Sequence, residues 1–86
     1  MIRDVYNNDI QVKNAIIDVL YHYSVYEMPL KAEEIYTRLP VACSFSILLI
    51  GLVDLEDATI IYGYDGYYSL RKDIKKIALQ RKVTFN

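Results

Sequence analysis

The stretch from Ser44 to Leu70, SFSILLIGLVDLEDATIIYGYDGYYSL, decides how the rest of the chain is read. Its apolar run stops at Asp54, Glu56 and Asp57. Apolar all round from Ile47 to Val53, the run has a period that fits either a buried strand or a helix. Its length argues for a helix, from about Ser44 to Leu55, and Ser44 is a suitable N-cap. Phe45, Leu48, Leu49, Leu52 and Leu55 then form an inward stripe. Ile47, Ile50 and Val53 are left pointing partly outward. Beyond the acidic patch, Thr59 to Gly63 and Tyr67 to Leu70 are β-branched and aromatic, as strands require. Asp65-Gly66 between them tolerates positive φ at both residues, which predicts a tight hairpin.

Working outward toward the N-terminus, Val12, Ala15, Ile16, Val19, Leu20 and Tyr23 recur at helical spacing. Asn8 with Gln11 three residues on resembles a capping box, so a helix is expected from Asp9 to about Tyr23, with residues 1–7 a loose lead-in. Pro29 pushes Met28 out of the helical region. A short helix follows, from about Lys31 to Leu39, with Ala32, Ile35 and Leu39 inward. Glu33 and Glu34 in its first turn favour the positive end of its dipole, and Pro40 closes it. On the other side of the hairpin, a helix is expected from Lys72 or Asp73. Ile74, Ile77 and Ala78 face inward, Arg81 continues that stripe, and Lys72, Lys75, Lys76 and Lys82 face water.

The order helix, helix, helix, hairpin, helix resembles a winged helix-turn-helix domain. The resemblance is sharpest at two places. Tyr26-Glu27-Met28-Pro29-Leu30-Lys31-Ala32-Glu33-Glu34-Ile35 looks like the YPLTxEEI start of the second helix in many winged helices. Asp65-Gly66-Tyr67-Tyr68-Ser69-Leu70 looks like the DGYYxL second wing strand that leads into a charged helix. The combination is similar to winged-helix domains that precede nucleotidyltransferase-like domains in bacteria and archaea, and it covers about Ala15 to Lys82. It implies an α+β fold: a three-helix core, a two-stranded β wing and a C-terminal helix, all in a single domain over residues 1–86. Two departures matter. Lys31 stands where the pattern has a capping Thr, which removes a side-chain cap worth roughly 1 kcal/mol. A Gly-Ser followed by paired aspartates is absent, so no transferase activity carries over.

Composition bounds the function. Eighty-six residues bury roughly 60–65% of the surface of the unfolded chain, enough for one core. Nine tyrosines swell the hydrophobic fraction to 53%; tyrosine suits half-exposed positions and interfaces. The net charge is −1, which gives the whole molecule no nucleic-acid footprint. The charge is nonetheless segregated: Arg71, Lys72, Lys75, Lys76, Arg81 and Lys82 gather near the C-terminus. One cysteine, Cys43, excludes an intramolecular disulfide, and a cytoplasmic home is expected. The N-terminus carries no signal-peptide core. The longest uncharged run, Leu39 to Val53, is short of the ~20 residues that span a bilayer, so no membrane partner is expected.

In DNA-binding members of the resembling family the third helix offers Arg, Lys, Asn or Gln to base edges. Here Ser44 to Asp57 contains none of these and ends in carboxylates, which phosphates repel. Ile47, Ile50 and Val53 instead form an apolar surface suited to protein. The leading expectation is a non-catalytic interaction module. It associates with itself as a homodimer, or docks on a partner protein, through this helix; the resemblance implies an accessory to a nucleotidyltransferase-type protein as one such partner arrangement. The alternative is a DNA-binding module contacting phosphates through Tyr64 of the wing and Arg71, Lys72, Lys75, Lys76, Arg81 and Lys82. An enzyme lacks a supporting constellation. His22 has no second ligand or nucleophile at useful spacing, and Gly51, Gly63 and Gly66 fit no phosphate loop. Asp54, Glu56 and Asp57 read as a solvated helix end, with the last helix's lysines as candidate partners. No cofactor or metal is expected.

Overall fold

The structure, a computed structural model, describes the backbone of residues 2–85 and the side chains of residues 9–83. Its elements run α1 (Ile2–Ser24), β1 (Leu30–Lys31), α2 (Ala32–Arg38), α3 (Phe45–Asp57), β2 (Tyr62–Tyr64), β3 (Tyr67–Ser69) and α4 (Ile74–Phe85). It is an α+β fold of four helices and one antiparallel sheet, ordered β1-β3-β2.

Three helix starts test the local rules. Ser44 caps α3 as its position predicts: its Oγ accepts the N–H of Ile47 at 3.2 Å. α1 departs from expectation by starting at Ile2, not Asp9. Asn8 therefore lies inside the helix, and its side chain is outside the described residues. The segment before Asp9 holds no Gly or Pro, and asparagines cost a helix only about 0.7 kcal/mol each. That is too little to stop propagation into Asp9 and Lys13, which pair one turn apart at 3.4 Å. In α2, the N-cap Lys31 has a side chain that can only donate. The reciprocal half of a capping box survives: the Lys31 N–H donates to Glu34 Oε1 at 2.9 Å.

Both long helices end without glycine. After α3, the Ile60 N–H reaches back to Leu55 O at 2.9 Å and the Thr59 N–H to Glu56 O at 3.0 Å, the paired bonds of a Schellman ending. Thr59 holds the left-handed position at φ 60°. It is thus a helix stop and not the first residue of a strand; the strand begins at Tyr62. Glu27 does the same after α1, at φ 53°, with Met28 N–H donating to Tyr23 O at 3.1 Å. At the hairpin tip Asp65 (φ 53°) and Gly66 (φ 83°) both take the positive φ of a type I′ turn.

The sheet has a third strand, which the expectation of a two-stranded wing lacks. Leu30 and Lys31 pair with Tyr68 and Tyr67, on the edge of β3 away from β2. Opposed residues share a face, so the register sorts the side chains. Leu30, Gly63 and Tyr68 lie on one face; Lys31, Tyr62, Tyr64, Tyr67 and Ser69 lie on the other. The first face closes the main core, built from Val12, Ile16, Val19 and Leu20 of α1, Ile35 of α2, and Leu48, Leu52 and Leu55 of α3. The second face carries α4, whose Ile74, Ile77 and Ala78 bury against Tyr67, with Tyr62 and Tyr64 alongside. The sheet is thus a partition between a large core and a small one.

Candidate interaction surface

The inner side of α3 is fixed by Leu48, Gly51, Leu52 and Leu55, all buried. Gly51 packs against α1: a Cβ there would lie 3.1 Å from Ile16 Cδ1. Turning that side inward leaves the opposite side to solvent. Ile50 is 57% exposed and Val53 55%, and Ile47 is also exposed. Leu49, expected inward, joins them at 39%. It sits one residue from both Leu48 and Ile50, about 100° around the helix from each, and the core has room for only one of these stripes. Phe45 packs at the core's edge, edge-to-face with Tyr36 at 5.3 Å between ring centres.

No basic or amide side chain stands on α3. The acidic residues at its C-terminal end oppose its own dipole. Asp54 finds its cation on α1, where Lys13 Nζ lies 3.1 Å away, and not on the last helix as the sequence reading expects. α4 is out of reach because it packs on the far face of the sheet. The Lys13–Asp54 pair also marks which side of α1 borders α3. Ile10, Lys13, Ile17 and Tyr21, spaced by three and four residues, run along that side. Ile10 and Tyr21 are exposed. The sequence signal for them was present, since neither belongs to the Val12–Tyr23 stripe, but the long run on α3 overshadowed it.

The cations considered for nucleic acid are brought together only in part. Arg81 is drawn inward, its side chain 13% exposed. It forms an ion pair with Glu34, donates to Pro29 O at 2.7 Å, and stands 5.3 Å over the Tyr67 ring. The hydrogen bonds from Arg81 and from the Lys31 N–H hold the Glu34 carboxyl down at about 2. Arg71 is held in a two-point pair with Asp73 at 2.9 and 3.0 Å, and Lys82, expected in water, pairs with Asp65. Lys72, Lys75 and Lys76 remain exposed, and no ion pair holds them among the described residues. Tyr64, expected to reach phosphates from the wing, is half-buried because it shares the face under α4 with Tyr62 and Tyr67. Lys75 Nζ stands 5.9 Å over its ring.

Other chemistry is sparse. Among the described residues, no group of three or more His, Cys, Asp or Glu side chains could hold a metal ion. No described helix is long and apolar enough to cross a membrane. His22 is exposed and meets the edges of Tyr23 and Tyr26. Cys43 is half-buried, and burial pushes its thiol up, away from the reactive thiolate. Comparison with protein-family models, curated proteins and solved structures finds no match to this chain.

Proposed function

We propose that the protein is a non-catalytic winged-helix interaction module that associates with itself through the outer side of α3. The observation that carries the reading is the exposed row Ile47, Leu49, Ile50 and Val53 on a helix with no cation or amide to offer a base edge. Such a row costs solubility on a monomer and is accounted for when protein covers it. The order of elements, the Asp65-Gly66 hairpin and a sheet joined as β1-β3-β2 support the winged-helix reading. A net charge near zero opposes association of two copies only weakly.

Light scattering across tens to hundreds of micromolar protein tests it. The wild type is expected to be a dimer and Ile50→Lys a monomer with an unchanged circular dichroism spectrum. A wild-type monomer throughout that range would overturn self-association. The resemblance in sequence would then make a nucleotidyltransferase-type protein the next partner to test. DNA binding stands as the second reading, supported by the exposed Lys72 just before α4 and Lys75 and Lys76 on its outer side.

A further inference from the structure

Three of the exposed residues of α3 have a symmetry of their own. Ile47 and Val53 stand three residues on either side of Ile50. A two-fold axis passing through Ile50, perpendicular to the helix, would set α3 antiparallel to its copy. Ile50 would then meet Ile50 of the second copy, and Ile47 would meet Val53. The same operation carries the acidic end of one helix onto the start of the other. Position 56 falls opposite position 44, and position 57 falls just before the N-cap. The first turn of α3 holds no acidic residue, and its unbonded N–H groups make it the positive end of the dipole. Asp57 of each copy, misplaced against its own dipole, would face the favourable end of the partner's, whereas Glu56 turns to the hairpin, its carboxylate beside Gly63. Asp57 also lies one turn beyond Val53 on the same stripe, at the rim of the apolar row.

The geometry points to a two-fold dimer in which α3 packs antiparallel on α3 about Ile50, its acidic end docked on the partner helix's N-terminal turn. This rests on the reading of α3 as the self-association face and adds to it the symmetry and the register. Self-complementary patches of this kind close as dimers and do not propagate as filaments. A parallel arrangement fails on charge, since it would set the carboxylates of the two helices side by side.

The test is site-directed disulfide formation in the full chain, in a Cys43→Ser background, with mild copper-catalysed oxidation. Ile50→Cys is expected to cross-link to itself. Ile47→Cys alone is expected not to: two such positions are offset by about 9 Å along the helices, beyond a disulfide's reach. Ile47→Cys mixed with Val53→Cys is expected to give the mixed dimer. All three positions are exposed, so the variants should fold, with circular dichroism as the control. Asp57→Lys is expected to weaken dimerisation by about 3- to 10-fold, two end contacts being lost per dimer.

A dimer that cross-links at position 47 with itself, or not at position 50, overturns the antiparallel register. The reading of α3 as the face survives that result if Ile50→Lys still gives a monomer. A wild type that stays monomeric by light scattering overturns the register and self-association together.

Discussion

Thr59 shows how a single residue can carry a cost for the shape of the whole. Its β-branched side chain sits on a left-handed backbone, a conformation that costs a non-glycine residue of order 1 kcal/mol or more, because the α3 ending needs that position to turn the chain into Ile61 and the hairpin. Thr59→Gly is therefore expected to stabilise the protein by about 1 kcal/mol, the relief of strain exceeding glycine's extra chain entropy. Thermal unfolding should show a melting temperature several degrees higher. Nothing local in the sequence marks Thr59, since a β-branched residue after an acidic patch reads as the first position of a strand. Ser44 was legible because its hydroxyl has one obvious use there. Glu34 supplies the second prediction at this scale. Its carboxyl is held at about 2 in the fold, against an ordinary 4.5. With a lowered folded-state value, its contribution is complete above pH 4.5 and is lost as pH falls from there through 2. Allowing for screening at its partly exposed edge, that contribution is about 2 kcal/mol. Glu34→Gln should be destabilised relative to the wild type at pH 6, and the gap should close by pH 2 in chemical unfolding measured at several pH values.

At the scale of elements, α4 is held differently from the other helices. It is absent from the main core and rests on the outer face of the sheet through Ile74, Ile77, Ala78 and Tyr67, with Arg81 reaching across to Glu34 and Pro29. Ile77 is 1% exposed at the centre of this small cluster. Ile77→Ala should cost about 2–4 kcal/mol, and hydrogen exchange should show the protection of α4 falling more than that of α1. Gly51 is the contrasting case, on the side of α3 that packs against α1. Gly51→Ala trades a gain in helix propensity of about 1 kcal/mol against a 3.1 Å contact with the movable tip of Ile16, so stability should change little. Gly51→Leu has no such room and should lose about 1–3 kcal/mol by overpacking. Periodicity made the core stripe of α1 and the helices α2 and α4 readable, length made α3 so, and Asp65-Gly66 gave the hairpin. β1 was not, for two residues have no period, and Leu30-Lys31 becomes a strand only because Tyr68 and Tyr67 lie opposite. The start of α1 was hidden for the opposite reason: a good capping pattern at Asn8 sits in a segment that nothing else breaks. On α3 the outward set Ile47, Ile50 and Val53 followed from spacing alone, whereas Leu49 could be assigned to a side only once Leu48 had filled the core.

For the molecule as a whole, the distribution of cations bears on the choice between self-association and DNA. The sequence puts six basic residues in one segment, which counted along the chain looks like a phosphate-binding arm. Folding divides that count. Arg81 turns inward to Glu34, Arg71 closes on Asp73, and Lys82 closes on Asp65. The pairings of Arg81 and Lys82 were not legible, because Glu34 and Asp65 lie far from them along the chain; Asp73 is only two residues from Arg71, and nothing in the spacing marks the two as a pair. Three exposed lysines remain: Lys72, Lys75 and Lys76. Each phosphate neutralised on duplex DNA contributes about 0.9 to the slope of log affinity against log salt. Three lysines thus allow a slope no steeper than about −3. With a net charge of −1 pulling the other way, anisotropy of a mixed-sequence duplex should show no binding at near-physiological salt and at most a shallow, weak isotherm at low salt. Reversing Lys75 and Lys76 to Glu should abolish that residue of binding and leave the dimer unchanged, because α4 and the outer side of α3 lie on opposite sides of the sheet's partition. A slope from this segment steeper than −3 would require Arg71, Arg81 or Lys82 to leave their carboxylates for phosphate. It would make the ion pairs a resting state of a DNA-binding surface, and the wing and α4 would replace α3 as the working face.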